Sequence, residues 1–338
     1  MILVTGGTGL VGSHLLLDLA RSGKKVRAIY RSEAKLSEVK KVFSYYVSSK
    51  EAAILFDSIE WVQADILEIP SLNEAFSNIN YVYHCAAIVS FDAKNSKSLR
   101  TTNIEGTANI VNLCLAFNIK KLCHISSIAT MDLALGDEYI SEKFTWHPEK
   151  SHSDYAISKY GAEIEVWRGT QEGLSAVIVN PGVIIGPGFW DSGSGQLITK
   201  VFEGLKFYFP KTTGFVGVLD VSKASIQLMD STIINEQFIL VSENLSFKTI
   251  LEWVGESLQK KAPQTPLQPW MVIIGWILQS SAKFLWGAKM QISKNDYKSL
   301  FKHSYYSNER IKEKLGFSFT PVKRVIMETG AIFRNETK

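Results

Sequence analysis

The chain has 338 residues, more than one typical domain, and its 46% hydrophobic content is enough for a substantial core. Charged residues make up 21% and leave a net charge of +4, with lysines and arginines scattered, so charge implies neither nucleic acid nor an anionic membrane as partner. Cys85, Cys114 and Cys123 have no metal-type spacing, and no residue is assigned to a metal; free thiols, with a first strand at residue 2 and no leader before it, point to a reducing cytoplasm.

Ile2-Leu3-Val4-Thr5 reads as a short strand. Gly6, Gly9 and Gly12 follow in the spacing G-x-x-G-x-x-G, and a leucine-rich helix comes next. The first glycine supplies a tight turn, the second lets a diphosphate approach the backbone, and the third lets helix and strand pack closely. The helix N-terminus then offers free N–H groups and a positive dipole end. Strand before and helix after make Thr5, Gly6, Gly9, Leu10, Val11 and Gly12 a dinucleotide-binding stretch.

Apolar runs then alternate with helical patterns, which predicts an α/β fold with a doubly wound parallel sheet. The predicted strands are 2–5, 25–30, 60–63, 81–85, 121–126, 175–180 and 237–241. Residues 33–57 are too long for a simple crossover and predict a helical insertion. The clearest helix is 98–117, with Ile104, Ala108, Val111 and Leu115 on one face. A glycine-rich, loop-rich region begins near Gly186. This divides the chain into a dinucleotide-binding domain over 1–185, rejoined by 237–250, and a smaller α/β substrate lobe over 186–338. Within that lobe, Trp270 to Leu278 is unbroken apolar sequence. That is short of the ~20 residues a membrane span needs. A buried or lid-like helix is the first reading of 270–286; peripheral membrane contact or a hydrophobic mouth is the alternative.

Tyr155 and Lys159 stand at i and i+4, so on a helix they share a face. A neighbouring ammonium favours the phenolate and makes the phenol a usable acid or base near neutral pH. Ser126 and Ser127 end a predicted strand, where a hydroxyl is well placed to hydrogen-bond a substrate oxygen.

These motifs resemble the extended short-chain dehydrogenases/reductases, the NAD-dependent epimerase/dehydratase family, over nearly the whole chain. The resemblance implies a Rossmann fold. It also implies that Asp65 meets the adenine, with Ile66 beside it among the cofactor-binding residues, that Ala86 and Ala87 line the cofactor, that Asn103 on the following helix belongs to the cofactor site, and that Pro181 and Val183 lie beside the nicotinamide. Ser127, not Ser126, matches the family's catalytic serine. The implied mechanism is hydride transfer: Tyr155 exchanges the proton, Lys159 lowers the tyrosine pKa and holds the ribose, and Ser127 polarises the carbonyl.

The second strand ends Tyr30-Arg31, where an NAD-preferring site carries an acid on the ribose. An arginine there suits a 2′-phosphate. NADP(H) is therefore expected over NAD(H), which stays the alternative. Ser127 is followed by Ile-Ala-Thr, without the acidic pair of the family's dehydratases, and no arginine occurs between Arg168 and Arg310 to hold a sugar diphosphate. The resemblance is nearest to the dihydroflavonol-4-reductase-like and 3β-hydroxysteroid dehydrogenase-like branch. The expected function is NADP(H)-dependent reduction of a carbonyl on a small, fairly hydrophobic substrate. A nucleotide-sugar epimerase and a non-catalytic dinucleotide sensor are the alternatives. Asp220 reads as structural, and the apolar faces of 98–117 and 155–170 admit a homodimer.

Overall fold

The computed structural model describes residues 1–90, 92–143, 146–271 and 301–337. Its centre is a seven-stranded sheet in the order β10-β6-β5-β4-β1-β2-β3. These strands are β1 (Ile2–Thr5), β2 (Val26–Tyr30), β3 (Glu60–Gln63), β4 (Tyr81–His84), β5 (Lys121–Ile125), β6 (Ala176–Pro181) and β10 (Glu236–Leu240). Every neighbouring pair is parallel. The sequence-predicted strands are all present, within a residue or so at their ends. They were legible because a parallel strand is covered on both faces and reads as an apolar run. One core layer forms around Val4, Leu15, Leu16 and Phe238. The other forms around Leu3, Phe76, Val82 and Ile178.

The order reverses between β1 and β4, and the crevice outside the strand ends at such a switch point is where an open α/β sheet takes its ligand. Helix α1 (Leu10–Arg21) leaves β1 there. The expected insertion consists of α2 (Leu36–Ser44) and α3 (Ser49–Asp57), with Val42 and Phe43 buried. After α4 (Ile69–Phe76) and β4, the predicted helix 98–117 differs from expectation. It runs as α5 (Ser96–Arg100), a π-turn (Thr101–Glu105) and α6 (Gly106–Ala116). The buried side is Asn103, Thr107, Ile110, Val111 and Cys114, whereas Ile104, Ala108 and Leu115 are only half-buried. The buried face carries the polar residues Asn103 and Thr107, which hydrogen-bond Ile88 and His84, so an apolar pattern assigns the neighbouring face instead.

Helix α7 (Asp154–Gln171) packs across α6 and carries Tyr155 and Lys159. At Gly182 the chain passes from β6 to β7 (Val183–Ile185), which belongs to a second sheet, β11-β9-β7. A Cβ at Gly182 would lie 2.4 Å from the Gly214 carbonyl oxygen, so the crossing needs glycine. Helix α8 (Gly195–Phe202) and the short β8 (Phe207–Tyr208) precede β9 (Thr212–Gly217). Helix α9 (Val218–Asp230) then packs on α1, and β10 rejoins the large sheet. The chain leaves again into β11 (Glu243–Ser246) and α10 (Phe247–Leu258). With Val322–Glu336, α10 encloses a separate core of Phe215, Ile250, Val254, Ile326 and Phe333.

Asp220 accepts the Thr320 N–H at 2.8 Å and the Thr320 hydroxyl at 3.0 Å, tying α9 to the chain ahead of the last helix. Among the described residues no helix is long and apolar enough to cross a membrane. Residues 272–286 of the apolar segment lie outside the described residues; Trp270 is exposed.

Candidate active site

The glycine turn is built as its spacing suggests. Gly6 has φ +68°, and a Cβ there would sit 2.5 Å from the Ala86 nitrogen. At Gly12 a Cβ would sit 2.1 Å from the Gly6 carbonyl oxygen. Gly9 differs: its φ of −110° is open to any residue. A Cβ there would meet no protein atom nearer than Gly6 O at 3.5 Å. Gly9 caps α1 without a side-chain bond, and the first turn of α1 holds no acid. The space a Cβ would fill, beside the uncapped N–H groups of Leu10 and Val11, fits an anionic diphosphate.

A buried hydrogen-bond chain holds the facing loop. The Ala86 N–H donates to Thr5 Oγ1 (3.3 Å), and that hydroxyl meets His84 Nδ1 (2.7 Å). His84 Nε2 meets Thr107 Oγ1 (3.0 Å), whose hydroxyl donates to Asn103 O (2.6 Å). The Asn103 amide donates to Ile88 O (3.0 Å) and Ser158 Oγ (2.9 Å), and its oxygen accepts Ile88 N–H (2.8 Å). Thr5 and Asn103 therefore lie beneath the 86–88 loop and shape it, while Ala87 is exposed on it. With both its nitrogens engaged by threonines, His84 is neutral, and burial holds its pKa down at about 3.

At the end of β2, Arg31 is more than half exposed and lies 3.8 Å from Asp65. The Asp65 carboxylate also accepts the Leu67 N–H (3.0 Å). Ile66 is buried against Gly106, where a Cβ would meet its side chain at 2.5 Å. Pro181 and Val183 sit on either side of the Gly182 crossing.

The predicted catalytic residues converge at the carboxyl end of β5. Tyr155 is hydrogen-bonded to the Ser127 hydroxyl. Ser127 Oγ also accepts the Ala129 N–H at 3.1 Å, which orients it at the head of a short turn, Ile128–Thr130. Burial raises the tyrosine pKa, and the Ser127 bond lowers it. Lys159 points elsewhere than expected: its ammonium donates to Ile125 O (2.8 Å) and to His124 Nε2 (3.4 Å). Burial lowers its pKa to about 8, opposed by the Glu163 carboxylate and Cys85. The ring of His124 lies 5.2 Å from that of His84.

Ser126 turns away from the pocket and donates to Glu163 Oε1 at 2.5 Å. This separates the two serines: Ser127 faces the tyrosine, and Ser126 belongs to the core. The sequence reading missed Glu163, Thr130, His124 and Asn180 as part of the site. The one available signal was position, since Glu163 follows Lys159 by one further helical turn.

The arrangement brings a buried phenol, an oriented hydroxyl and a buried ammonium to the same edge of the sheet as the glycine turn and the uncapped start of α1. The model of the NAD dependent epimerase/dehydratase family matches residues 2–213. Cinnamoyl-CoA reductase 1 of Petunia hybrida is 25% identical, with 97% of this chain and 90% of that protein covered. Dihydroflavonol 4-reductase of Gerbera hybrida is 26% identical over 59% of this chain and 56% of its own length. The fold is shared with a Thermus thermophilus UDP-glucose 4-epimerase solved in complex with NAD, at TM-score 0.71, 19% identity and 98% coverage of both chains. The chain is an enzyme of the NAD-dependent epimerase/dehydratase family, the extended short-chain dehydrogenases/reductases.

Proposed function

We propose that this protein is an NADP(H)-dependent oxidoreductase that reduces a carbonyl, or oxidises the matching alcohol, on a small and fairly hydrophobic substrate. The observation that carries the reading is the Ser127–Tyr155 hydrogen bond at the sheet's carboxyl edge, with Lys159 one turn along α7. When bound, the nicotinamide supplies or takes the hydride. Tyr155 gives its proton to the substrate oxygen in reduction and removes it in oxidation. The Ser127 hydroxyl, held by Ala129 N–H, orients that oxygen and stabilises the phenolate left behind. Lys159, one turn along α7 from Tyr155 with its ammonium on the Ile125 carbonyl, is the residue we assign to the ribose side of the cofactor. The turn Gly6–Gly12 and the start of α1 hold the diphosphate. Arg31 takes the 2′-phosphate, in competition with Asp65.

An apolar substrate is supported by exposed Val89, Leu133 and Leu135 on the loops that leave β4 and β5. It is supported also by the lack of arginine between Arg168 and Arg310. The second reading, an NAD-dependent nucleotide-sugar epimerase, draws on the shared fold with the Thermus epimerase. We assign residues 1–185 to cofactor binding and 186–338 mainly to substrate. Ile164, 47% exposed on α7, supports pairing of two copies through α6 and α7.

The test is NADPH oxidation with a panel of aryl aldehydes and cyclic ketones, run beside UDP-sugar epimerisation. NADPH consumption by the wild type and its loss in Tyr155→Phe, with NADPH binding retained, is the expected result. Tighter binding of NAD⁺ than of NADP⁺, or epimerisation without carbonyl reduction, overturns it.

A further inference from the structure

Tyr155, Lys159 and Glu163 stand at i, i+4 and i+8 on α7 and therefore along one face. Each meets a different member of three consecutive residues at the end of β5. Lys159 donates to the Ile125 carbonyl (2.8 Å), Glu163 accepts from the Ser126 hydroxyl (2.5 Å), and Tyr155 bonds the Ser127 hydroxyl. The helix thus reads the strand end one residue per turn.

Glu163 does more than accept from Ser126. The same oxygen, Oε1, accepts from the Thr130 hydroxyl (2.9 Å) and from the Asn180 amide (2.7 Å). The Asn180 amide nitrogen also lies 3.0 Å from Ser127 O. Ser126, Thr130, Glu163 and Asn180 are all buried. The group therefore joins three elements, α7, the turn after β5, and β6. It surrounds Ser127 from below, with Ser126 on one side and Thr130 on the other.

Burying a carboxylate costs several kcal/mol unless its lone pairs are satisfied. An apolar side chain would fill the same volume at less cost, so packing alone does not account for this residue. What a carboxylate adds is direction: the Ser126 hydroxyl and the Asn180 amide are aimed at one atom, and the Thr130 hydroxyl is shared between that atom and Ser127 O (2.9 Å), which fixes the turn's path in a way that apolar contact does not.

We propose that Glu163 is a positioning residue of the reaction, clamping the 126–130 turn onto α7 so that the Ser127 hydroxyl is held against the Tyr155 phenol. The proposal rests on the oxidoreductase reading for its kinetic consequences but not for its geometric one. Charged and titratable groups facing Lys159 come from β4 (His84) and the residue after it (Cys85), from β5 (His124) and from α7 (Glu163), so removing the Glu163 charge also acts on the ammonium. The test must separate charge from clamp. Glu163→Gln loses the charge and keeps an acceptor oxygen for Ser126 and Thr130. Glu163→Ala loses both.

Two measurements are made on wild type, Glu163→Gln, Glu163→Ala, Ser126→Ala and Tyr155→Phe. The first is steady-state NADPH oxidation with the fastest carbonyl of the aldehyde and ketone panel. Misplacing a catalytic group by 1 Å can cost about 100-fold. Glu163→Ala is expected to lower kcat by roughly 10- to 100-fold, with KM within about threefold, and Glu163→Gln to restore most of the loss. Ser126→Ala, which keeps the carboxylate, covers the case in which Glu163→Ala does not fold. It is expected to lower kcat by about 3- to 10-fold and to add nothing when combined with Glu163→Gln beyond the larger single effect.

The second measurement needs no substrate. Tyr155 ionisation is followed by ultraviolet difference against Tyr155→Phe. Both Glu163 variants lack the charge, so the difference between them reports the Ser127 bond alone. The tyrosine is expected to titrate about one unit higher in Glu163→Ala than in Glu163→Gln. Equal titration in the two, or a kcat for Glu163→Ala within about twofold of wild type while Tyr155→Phe is inactive, overturns the proposal. Absence of NADPH oxidation by the wild type with every carbonyl of the panel overturns the oxidoreductase reading instead, and leaves the clamp to be judged by the titration; wild-type turnover in Tyr155→Phe removes Tyr155 from the proton transfer and overturns the clamp's catalytic purpose.

Discussion

Replacing Gly9 by alanine is expected to separate cofactor binding from folding. The backbone at Gly9 is extended (φ −110°, ψ 175°), so alanine adopts it without strain. Its methyl would meet no protein atom closer than 3.5 Å. Against this, alanine is a poorer N-cap than glycine by a few tenths of a kcal/mol or more. It also removes unfolded-chain entropy, which stabilises by about 0.4–1 kcal/mol. The two effects nearly cancel, and stability should stay within about 0.5 kcal/mol of wild type. The dinucleotide affinity should fall by at least about tenfold, or ~1.4 kcal/mol, because the methyl occupies the diphosphate's space. Gly12→Ala provides the contrast. Its methyl would be 2.1 Å from Gly6 O and 2.8 Å from Gly7 Cα, backbone atoms that cannot swing aside. Overpacking of this kind costs about 1–3 kcal/mol. Thermal melts without cofactor, and fluorescence titration with NADPH, measure both quantities for both variants. A Gly9→Ala protein that melts as early as Gly12→Ala, or that binds NADPH like wild type, would refute the reasoning.

Acid should destabilise the fold through its buried histidines. Burial lowers His14 to about 4 and His84 to about 3. Below pH 6.5 the unfolded chain takes up protons that the folded one refuses, so stability falls as pH drops from 6.5 toward those values. Each histidine accounts for about 2 kcal/mol between pH 7 and 5; burial raises the carboxyls of Asp18 and Glu142, which act in the opposite direction. Urea melts at both pH values should show His14→Gln losing about 2 kcal/mol less than wild type, and equal losses would remove His14 from the account. Asp220→Ala should cost about 1–3 kcal/mol by orphaning the Thr320 N–H. KM should not move, and a raised KM at unchanged stability would contradict a structural Asp220. Asp65→Asn removes the charge that competes for Arg31. NADP⁺ should then bind more tightly relative to NAD⁺ at low salt, and an unchanged ratio would separate Arg31 from the 2′-phosphate.

The large sheet was legible because its code is local. Ile2–Thr5 and Ala176–Pro181 are apolar runs closed by Gly6 and Gly182, and each signal lies within a few residues of what it determines. The face of 98–117 was not, because its buried side carries polar Asn103 and Thr107, whose partners Ile88 and His84 come from another part of the chain. Within the site, Tyr155 and Lys159 were visible through their spacing, and Ser127 through its place at a strand end. The direction of the Lys159 ammonium was not visible. It depends on the Ile125 carbonyl and His124, which reach it only through tertiary packing. Glu163 was missed for the same reason. A buried glutamate looks like a solvated one until Ser126, Thr130 and Asn180, from two other elements, are brought to it.

The geometry of α7 also bears on why one helix carries so much of the site. Tyr155, Lys159 and Glu163 share a rigid rod, so a displacement of α7 moves all three together against residues 125–127. Gly161 and Gly169 let that rod lie close to its neighbours: a Cβ at Gly161 would meet Ile104 Cδ1 at 2.6 Å, and one at Gly169 would meet Val111 Cγ1 at 2.5 Å. The Ser158 hydroxyl bonds Tyr155 O (2.8 Å) and receives the Asn103 amide (2.9 Å), which itself braces Ile88 in the loop facing the glycine turn. Tyr155 and the cofactor loop are therefore registered through one buried chain, independent of the substrate side. The distance between a bound nicotinamide and the phenol is then a property of the large sheet and its helices. On the proposed reading, the loops beyond the strand ends would set substrate preference without moving the phenol.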